Sequence, residues 1–367
     1  MSWDDRAEAS RHPSVPAQAT LPAPRFDHLR ALTGRAGLWE RARVSTGPVE
    51  YGLRTDDNAR ALVVVSRQAA SSGGLADLAA TYLGFVLEAR TETGEFRSRR
   101  SADGTWEDGV GSDDSHGRAW WALGSAAHSA PSEWMRRAGY DAFSTCTSFE
   151  STRLRANAYA SLGAVEMLTA DPEHAAARDL LERASGVIAD ATRTTIPWPE
   201  DRITYDNARL PDALMAAGAA LGDRRLVANG LRLLEWLVDV ETSGNHFSFA
   251  PVAGWSIGES RPGFVQAPIE AWAMADACHR AWVITDDAVW RVRACRAARW
   301  LFGLNDTGMA LYDPDTGATC DALGPVTVDE GRGGESTLAG IASLQIAAAC
   351  NPAPSRGVSP GPRRGLP

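Results

Sequence analysis

Two kinds of helical segment alternate along this chain, and the alternation constrains its fold more than any other feature. Six segments are apolar nearly all round and rich in Ala and Gly. They are TDDNARALVVVSRQ from Thr55, DDSHGRAWWALGSA from Asp113, STRLRANAYASLGAVEML from Ser151, TYDNARLPDALMAAGAAL from Thr204, QAPIEAWAMADACHRAW from Gln266 and GESTLAGIASLQIAAA from Gly334. A helix of this kind must be buried on most sides. Between them run segments with apolar residues at i, i+3, i+4 and i+7 and charged residues opposite. These start at Arg25 (the weakest member), Gly74, Ser132, Glu173, Asp223 and Asp287. One-sided helices keep their polar stripe in water. No single hairpin of this series can cover its own apolar face, so neighbours must stack. The pattern predicts an all-α (α/α)6 toroid, a six-hairpin barrel with an inner and an outer ring of helices.

The toroid is expected to occupy residues 25–350, after a flexible segment, 1–24, and before a disordered Pro-, Gly- and Arg-rich tail, 351–367. Such tail compositions cannot bury enough apolar surface to fold. Turns from an inner helix to the next outer one are short. The stretches leading into inner helices are long at 92–112, 241–265 and 305–333, with a short hairpin expected in NHFSFAPVAGW from Asn245. Long loops and inner-helix N-termini therefore share one end of the barrel, where function is expected to gather.

Composition removes several chemistries. All 37 basic residues are Arg, so Schiff-base and pyridoxal phosphate mechanisms anchored on lysine are excluded, as is a Walker-type phosphate loop. The net charge of −9 argues against nucleic acid as a partner. No apolar run approaches the ~20 residues of a membrane span, and no N-terminal apolar region marks a secretory signal. Five cysteines with no CxxC pair fit reduced thiols in a cytoplasmic protein. No histidine or cysteine spacing suits a metal, and nothing calls for a cofactor.

The predicted inner-helix N-termini are strongly polar. They carry Asp56, Asp57, Asn58 and Arg60, then Asp113, Asp114, His116 and Arg118, then Arg155 and Asn157, then Asp206, Asn207 and Arg209, and finally Gln266 and Glu270 on one helix and Glu335 on the last. DDNARAL at Asp56 recurs in YDNARLPDAL at Tyr205, with DSHGRAWWAL at Asp114 as a looser copy. Asp and Arg three residues apart share a helix face and can pair. Helix capping and local ion pairs account for any one of these clusters alone. Six clusters converging on one end instead point to a ring of carboxylates around a pocket. Trp198 and Trp255 lie in loops at this end, beside Tyr205, and sugars pack their CH faces on such rings while their hydroxyls bind Asp, Asn and Arg. An acidic, Trp-lined pocket for an oligosaccharide or glycoside follows. Glycoside hydrolysis needs two carboxyl groups flanking the scissile bond. The candidates are Asp57, Asp114, Asp206, Glu270 and Glu335, with acid and base unassigned. His116 is a further acid–base candidate, and His246 a substrate-binding one.

The alternation resembles the six-hairpin glycosidase superfamily, which includes several glycoside hydrolase families and the N-acylglucosamine 2-epimerase-like isomerases. More narrowly, the strings TDDNARAL, EDGVGSDDSHGRAWWALG, WPEDRITYDNARLPDAL, RPGFVQAPIEAWAMADAC, LYDPDTG and GGESTLA look like those of a bacterial toroid family labelled glycosyltransferase-associated. The first resemblance implies active residues at the inner-helix N-terminal end. It also implies, as an alternative to hydrolysis, a sugar 2-epimerase or isomerase using His116 and His246. The second implies a glycosyltransferase partner, with the chain as its sugar-binding companion.

Overall fold

A computed structural model of the chain describes residues 20–40, 52–68, 74–145, 149–193 and 197–351. Residues 1–19 of the expected leading segment, all but the first residue of the expected tail, Tyr51 and Cys146 lie outside these. Among the described residues twelve helices form. The inner ring is α2 (Thr55–Arg67), α4 (Asp113–Ser129), α6 (Leu154–Ala170), α8 (Arg209–Leu221), α10 (Pro268–Thr285) and α12 (Gly334–Cys350). The outer ring is α1 (Asp27–Leu32), α3 (Ala76–Ala89), α5 (Glu133–Thr145), α7 (Ala175–Ala191), α9 (Arg224–Val240) and α11 (Ala288–Trp300). Each inner helix packs on the next, and α12 returns to α2, so the ring closes. The expected (α/α)6 toroid is the fold observed, and no helix of the described residues is long and apolar enough to cross a membrane.

Small residues let the inner helices approach. A Cβ added at Gly117 would collide with the backbone of Ala156, and one at Gly124 with that of Gly163. These pairs repeat after seven residues on both α4 and α6, about two helical turns, so the two backbones touch along a whole seam. Three of the outer helices, α7, α9 and α11, start on side-chain caps. Asp223 accepts from the Arg225 N–H at 2.7 Å and Asp287 from the Val289 N–H at 2.9 Å. Inner helices do not: only Ser112, before α4, accepts a capping N–H among the six. The acids that open the inner helices are therefore not spent on capping.

The inner-to-outer turns are tight. Gly222 and Asp223 alone join α8 to α9, with Gly222 in the left-handed region at φ 71°. The outer-to-inner stretches are long and carry four short antiparallel pairs, including β5 (Thr242–Ser243) with β6 (His246–Phe247). The expected hairpin thus begins three residues earlier than read from sequence and turns at Gly244 and Asn245. Among the tryptophans within helices, Trp121, Trp272 and Trp300 are fully enclosed, Trp120 and Trp290 nearly so, and Trp236 and Trp282 partly buried against the core.

Candidate functional site

Four inner helices and the loops leading into α8 and α10 enclose a cavity of about 210 Å³ at the N-terminal end of the ring. Arg60 comes from α2, Arg118 from α4, Thr204 and Tyr205 from the loop before α8, Ile269 and Glu270 from α10, and Glu335 from α12. Ala250, Val252 and Ala267, in the long stretch before α10, complete an apolar wall. A wider cavity of about 500 Å³ opens beside α6 and α7, around Phe149, Ser151 and Arg183. None of the five candidate carboxylates lines it.

The floor of the smaller cavity is a column of stacked planes. The Arg118 guanidinium lies 3.9 Å from the Tyr159 ring centre, and Tyr159 stacks on Trp121. Arg209 lies 4.9 Å from the Trp121 ring and 4.8 Å from that of Trp272. Asp206 ties the column together. One of its oxygens accepts from the Tyr159 hydroxyl at 2.6 Å and Arg118 at 3.3 Å, the other from Arg209 at 3.2 Å. These guanidinium groups, Arg209 and Arg118 foremost, overcome burial and hold the Asp206 carboxyl below its usual range.

Asp206 is also one of two non-glycine residues described with positive φ, at 49°. This left-handed bend is sparsely populated for such residues. It turns the successive N–H groups of Asp206 and Asn207 toward the Glu270 carboxylate. The Asn207 side-chain amide adds a third donor at 3.0 Å. Even so, burial pushes the Glu270 carboxyl up to about 8, with help from the negative charges of Glu241 and Asp206. Glu241 is buried just outside α9, accepts from the Ala250 N–H at 2.9 Å, and is itself pushed by burial to about 7.

Across the cavity, Arg60 gathers three acids. It donates to Asp57 at 2.7 Å and lies 2.6 Å from Glu335 and 3.7 Å from Asp56. Burial raises Asp57 to about 7, and the adjacent Asp56 adds to this. Arg60 and Arg54 hold Asp56 below its usual range despite burial. Glu335, with a side chain 44% exposed, opens to solvent. The repeated Asp–Arg motif pairs internally in two of its copies, Asp57 with Arg60 and Asp206 with Arg209. The third copy differs. Asp114 accepts from the Tyr205 hydroxyl at 2.5 Å, and Arg118 crosses to Asp206. Asp57, Asp114 and Asp206 thus each touch a residue of the cavity wall, and Glu270 and Glu335 are part of that wall.

Asp57, Glu241 and Glu270 have consequences for stability. All three values lie above those of unfolded carboxyls, near 4. The folded state therefore keeps protons that the unfolded chain releases. Their stabilising contribution is complete below pH ~4 and is lost as pH rises through 7 to 8, by up to about 1.4 kcal/mol per pH unit for each group. Asp56, Asp206 and Asp276 have lowered values, so they act in the opposite sense only at more acid pH. The melting temperature is expected to fall from pH 5 to pH 7; above that the Cys295 thiol, lowered to about 6 chiefly by its hydrogen bond with Cys350, gains stability with pH and opposes the trend. A flat profile in calorimetry from pH 5 to pH 7 contradicts these assignments.

No protein-family model matches the chain, and no curated protein sequence matches it. Solved structures do. A sugar epimerase from a ruminal bacterium aligns over 87% of this chain and 94% of its own, with a TM-score of 0.66 and 13% identity. A cellobiose 2-epimerase from Bacillus thermoamylovorans aligns over 88% and 96%, with a TM-score of 0.67 and 9% identity. A GH76 α-mannanase from Bacteroides thetaiotaomicron aligns over 82% and 87%, with a TM-score of 0.59 and 11% identity. The chain has the six-hairpin (α/α)6 toroid fold. At these identities the likeness is one of fold.

Several residues expected at the pocket of this toroid lie elsewhere. Trp198 is buried and stacked on Trp236 with ring centres 5.7 Å apart, so it is core. Trp255 donates to the Glu259 carbonyl and pins its loop through paired backbone bonds with Ile203. Among the described residues no tryptophan lines the cavity, whose aromatic lip is Tyr205. The expectation of a Trp-lined pocket is corrected accordingly. His116 bonds the Phe96 carbonyl at 2.8 Å, and His246 pairs with Asp306 at 3.0 Å; neither ring is on the cavity wall. Gln266 is buried and donates to Asp306 and to the Gly263 carbonyl, which makes it a loop brace. Asn58 clasps the backbone of Leu38 and Arg54. Asn207 braces Glu270 and accepts from Arg155 at 2.8 Å. Arg209 lies beneath the cavity floor.

Proposed function

We propose that this toroid is a carbohydrate-active enzyme, a glycoside hydrolase that binds one sugar ring in the 210 Å³ cavity. The volume is below the 300 to 1,000 Å³ typical of drug-sized ligand sites, which favours a single ring over a long oligosaccharide. The observation that carries the reading is the pair of unlike carboxyl groups lining one cavity. Glu270 is buried, with its pKa at about 8, so it holds a proton at neutral pH. Glu335 is ion-paired with Arg60 and open to water. Titratable groups whose environments differ in this way divide into acid and base. Glu270 donates its proton to the glycosidic oxygen as the bond to the anomeric carbon breaks. Glu335 either takes a proton from the attacking water or attacks the anomeric carbon itself. Ile269, Val252 and the Tyr205 ring offer apolar surface for the CH face of the sugar.

Sugar 2-epimerisation through His116 and His246 needs both rings at one substrate carbon, and each is engaged outside the cavity. A panel of aryl and alkyl glycosides, each with a single terminal sugar, together with the corresponding free reducing sugars, whose open-chain carbonyl makes the C2 proton removable, separates the chemistries in deuterated water. Hydrolysis is expected, read as new reducing ends with no deuterium at C2. Deuterium at C2 without bond cleavage overturns the proposal in favour of proton abstraction.

A further inference from the structure

Of the two cations on the cavity wall, Arg118 has the more capacity to spare: Arg60 leaves only its Nε without a hydrogen-bond partner. Arg118 is 2% exposed and lines the wall, yet its Nε and Nη1 have no hydrogen-bond partner. Its Nη2 makes both of its polar contacts, to the Tyr159 hydroxyl at 2.6 Å and Asp206 at 3.3 Å. Asp206 is shared, because its other oxygen belongs to Arg209. Arg60, by contrast, faces three acids. The asymmetry follows from sequence: Asp57 lies three residues before Arg60, whereas the acid nearest Arg118 in its own helix, Asp114, is engaged by Tyr205. A buried guanidinium N–H without an acceptor is costly, and guanidinium groups suit carboxylates.

Resting on the reading of this cavity as a sugar site, we propose that its preferred ligand is a uronic acid, a sugar whose carboxylate accepts from Nη1 of Arg118. One under-compensated cation matches one negative charge, which favours a carboxylate over a doubly charged phosphate ester. The protonated Glu270 opposite adds no repulsion at neutral pH. Ala250, Val252, Ala267 and Ile269 leave room for the ring, and the second cation of the wall, Arg60, is already matched by Glu335, Asp57 and Asp56.

Calorimetric titration of the full chain with glucuronate and galacturonate, their methyl esters, glucose, galactose and glucose 6-phosphate tests this. The acid is expected to bind about ten- to a hundredfold tighter than its own methyl ester. That ratio is expected to collapse toward one in Arg118→Gln. Equal binding of acid and ester, or tighter binding of the neutral sugars, overturns the uronate proposal and leaves the sugar site standing. Preference for the sugar phosphate overturns the carboxylate assignment. Failure of every sugar in the panel to bind overturns both readings. Should Arg118→Gln fail to fold, the acid-to-ester ratio of the unaltered protein decides alone.

Discussion

Glu270→Gln is expected to lower kcat on a cleaved glycoside by about 10²- to 10⁴-fold, the usual contribution of a positioned proton donor. The amide matches the carboxyl in shape but cannot give up a proton at neutral pH. It does not fit without cost. Glu270 accepts from the N–H groups of Asp206 and Asn207 on different oxygens, so the amide nitrogen must face one donor. The lost bond costs about 1 to 3 kcal/mol, and a melting curve of the variant gives the control. The pH profile distinguishes a donor from a structural brace. In the unaltered protein kcat/KM is expected to fall above pH 8, as Glu270 loses its proton. Glu241→Gln removes one of the charges that raise Glu270, so the alkaline fall moves to lower pH. A folded Glu270→Gln variant with kcat within threefold of the parent, or a Glu241→Gln profile that does not move, removes Glu270 from the acid role.

The parts of this site that the sequence made legible are those governed by local geometry. Asp57 with Arg60 and Asp206 with Arg209 follow from three-residue spacing on a helix face. Their arrival at one end follows from the alternation of buried and one-sided helices. The parts it hid depend on contacts between distant segments. Glu241 follows an amphipathic helix, among polar residues, and nothing local marks it as buried; the returning loop supplies the Ala250 N–H that encloses it. Tyr159 looks like one more apolar residue of α6 until Asp206 and Arg118 meet its hydroxyl. Trp198 stands in a loop, which suggests a sugar platform, but that loop folds back onto Trp236 of α9. The histidines misled for a related reason. A ring near a helix N-terminus can be claimed by a backbone carbonyl of the preceding loop, as Phe96 claims His116.

Arg209→Ala is expected to destabilise the protein by about 3 to 5 kcal/mol, the cost of stripping one partner from a buried ion-pair group. Arg209 is wholly buried and reaches Asp276 at 2.6 Å, Asp206 at 3.2 Å and Asp212 at 3.4 Å. Each acid keeps a second cation, Arg67, Arg118 and Arg280 respectively, so the network is weakened without being abolished. The stacking of the guanidinium on Trp121 and Trp272 is lost too, a term of up to about 2 kcal/mol. Arg209→Met separates the two causes. It refills the space between the indoles but leaves the carboxylates short of a cation. If charge dominates, both variants lose a similar amount in denaturant titration; if packing dominates, methionine recovers most of it. The loss is expected to reach the site as well, because Arg209 holds Asp206 in the bend that aims two N–H groups at Glu270. Against a typical total stability of 5 to 15 kcal/mol, such a change is large. A variant that loses less than about 1 kcal/mol contradicts the view that the toroid axis is held by this arginine.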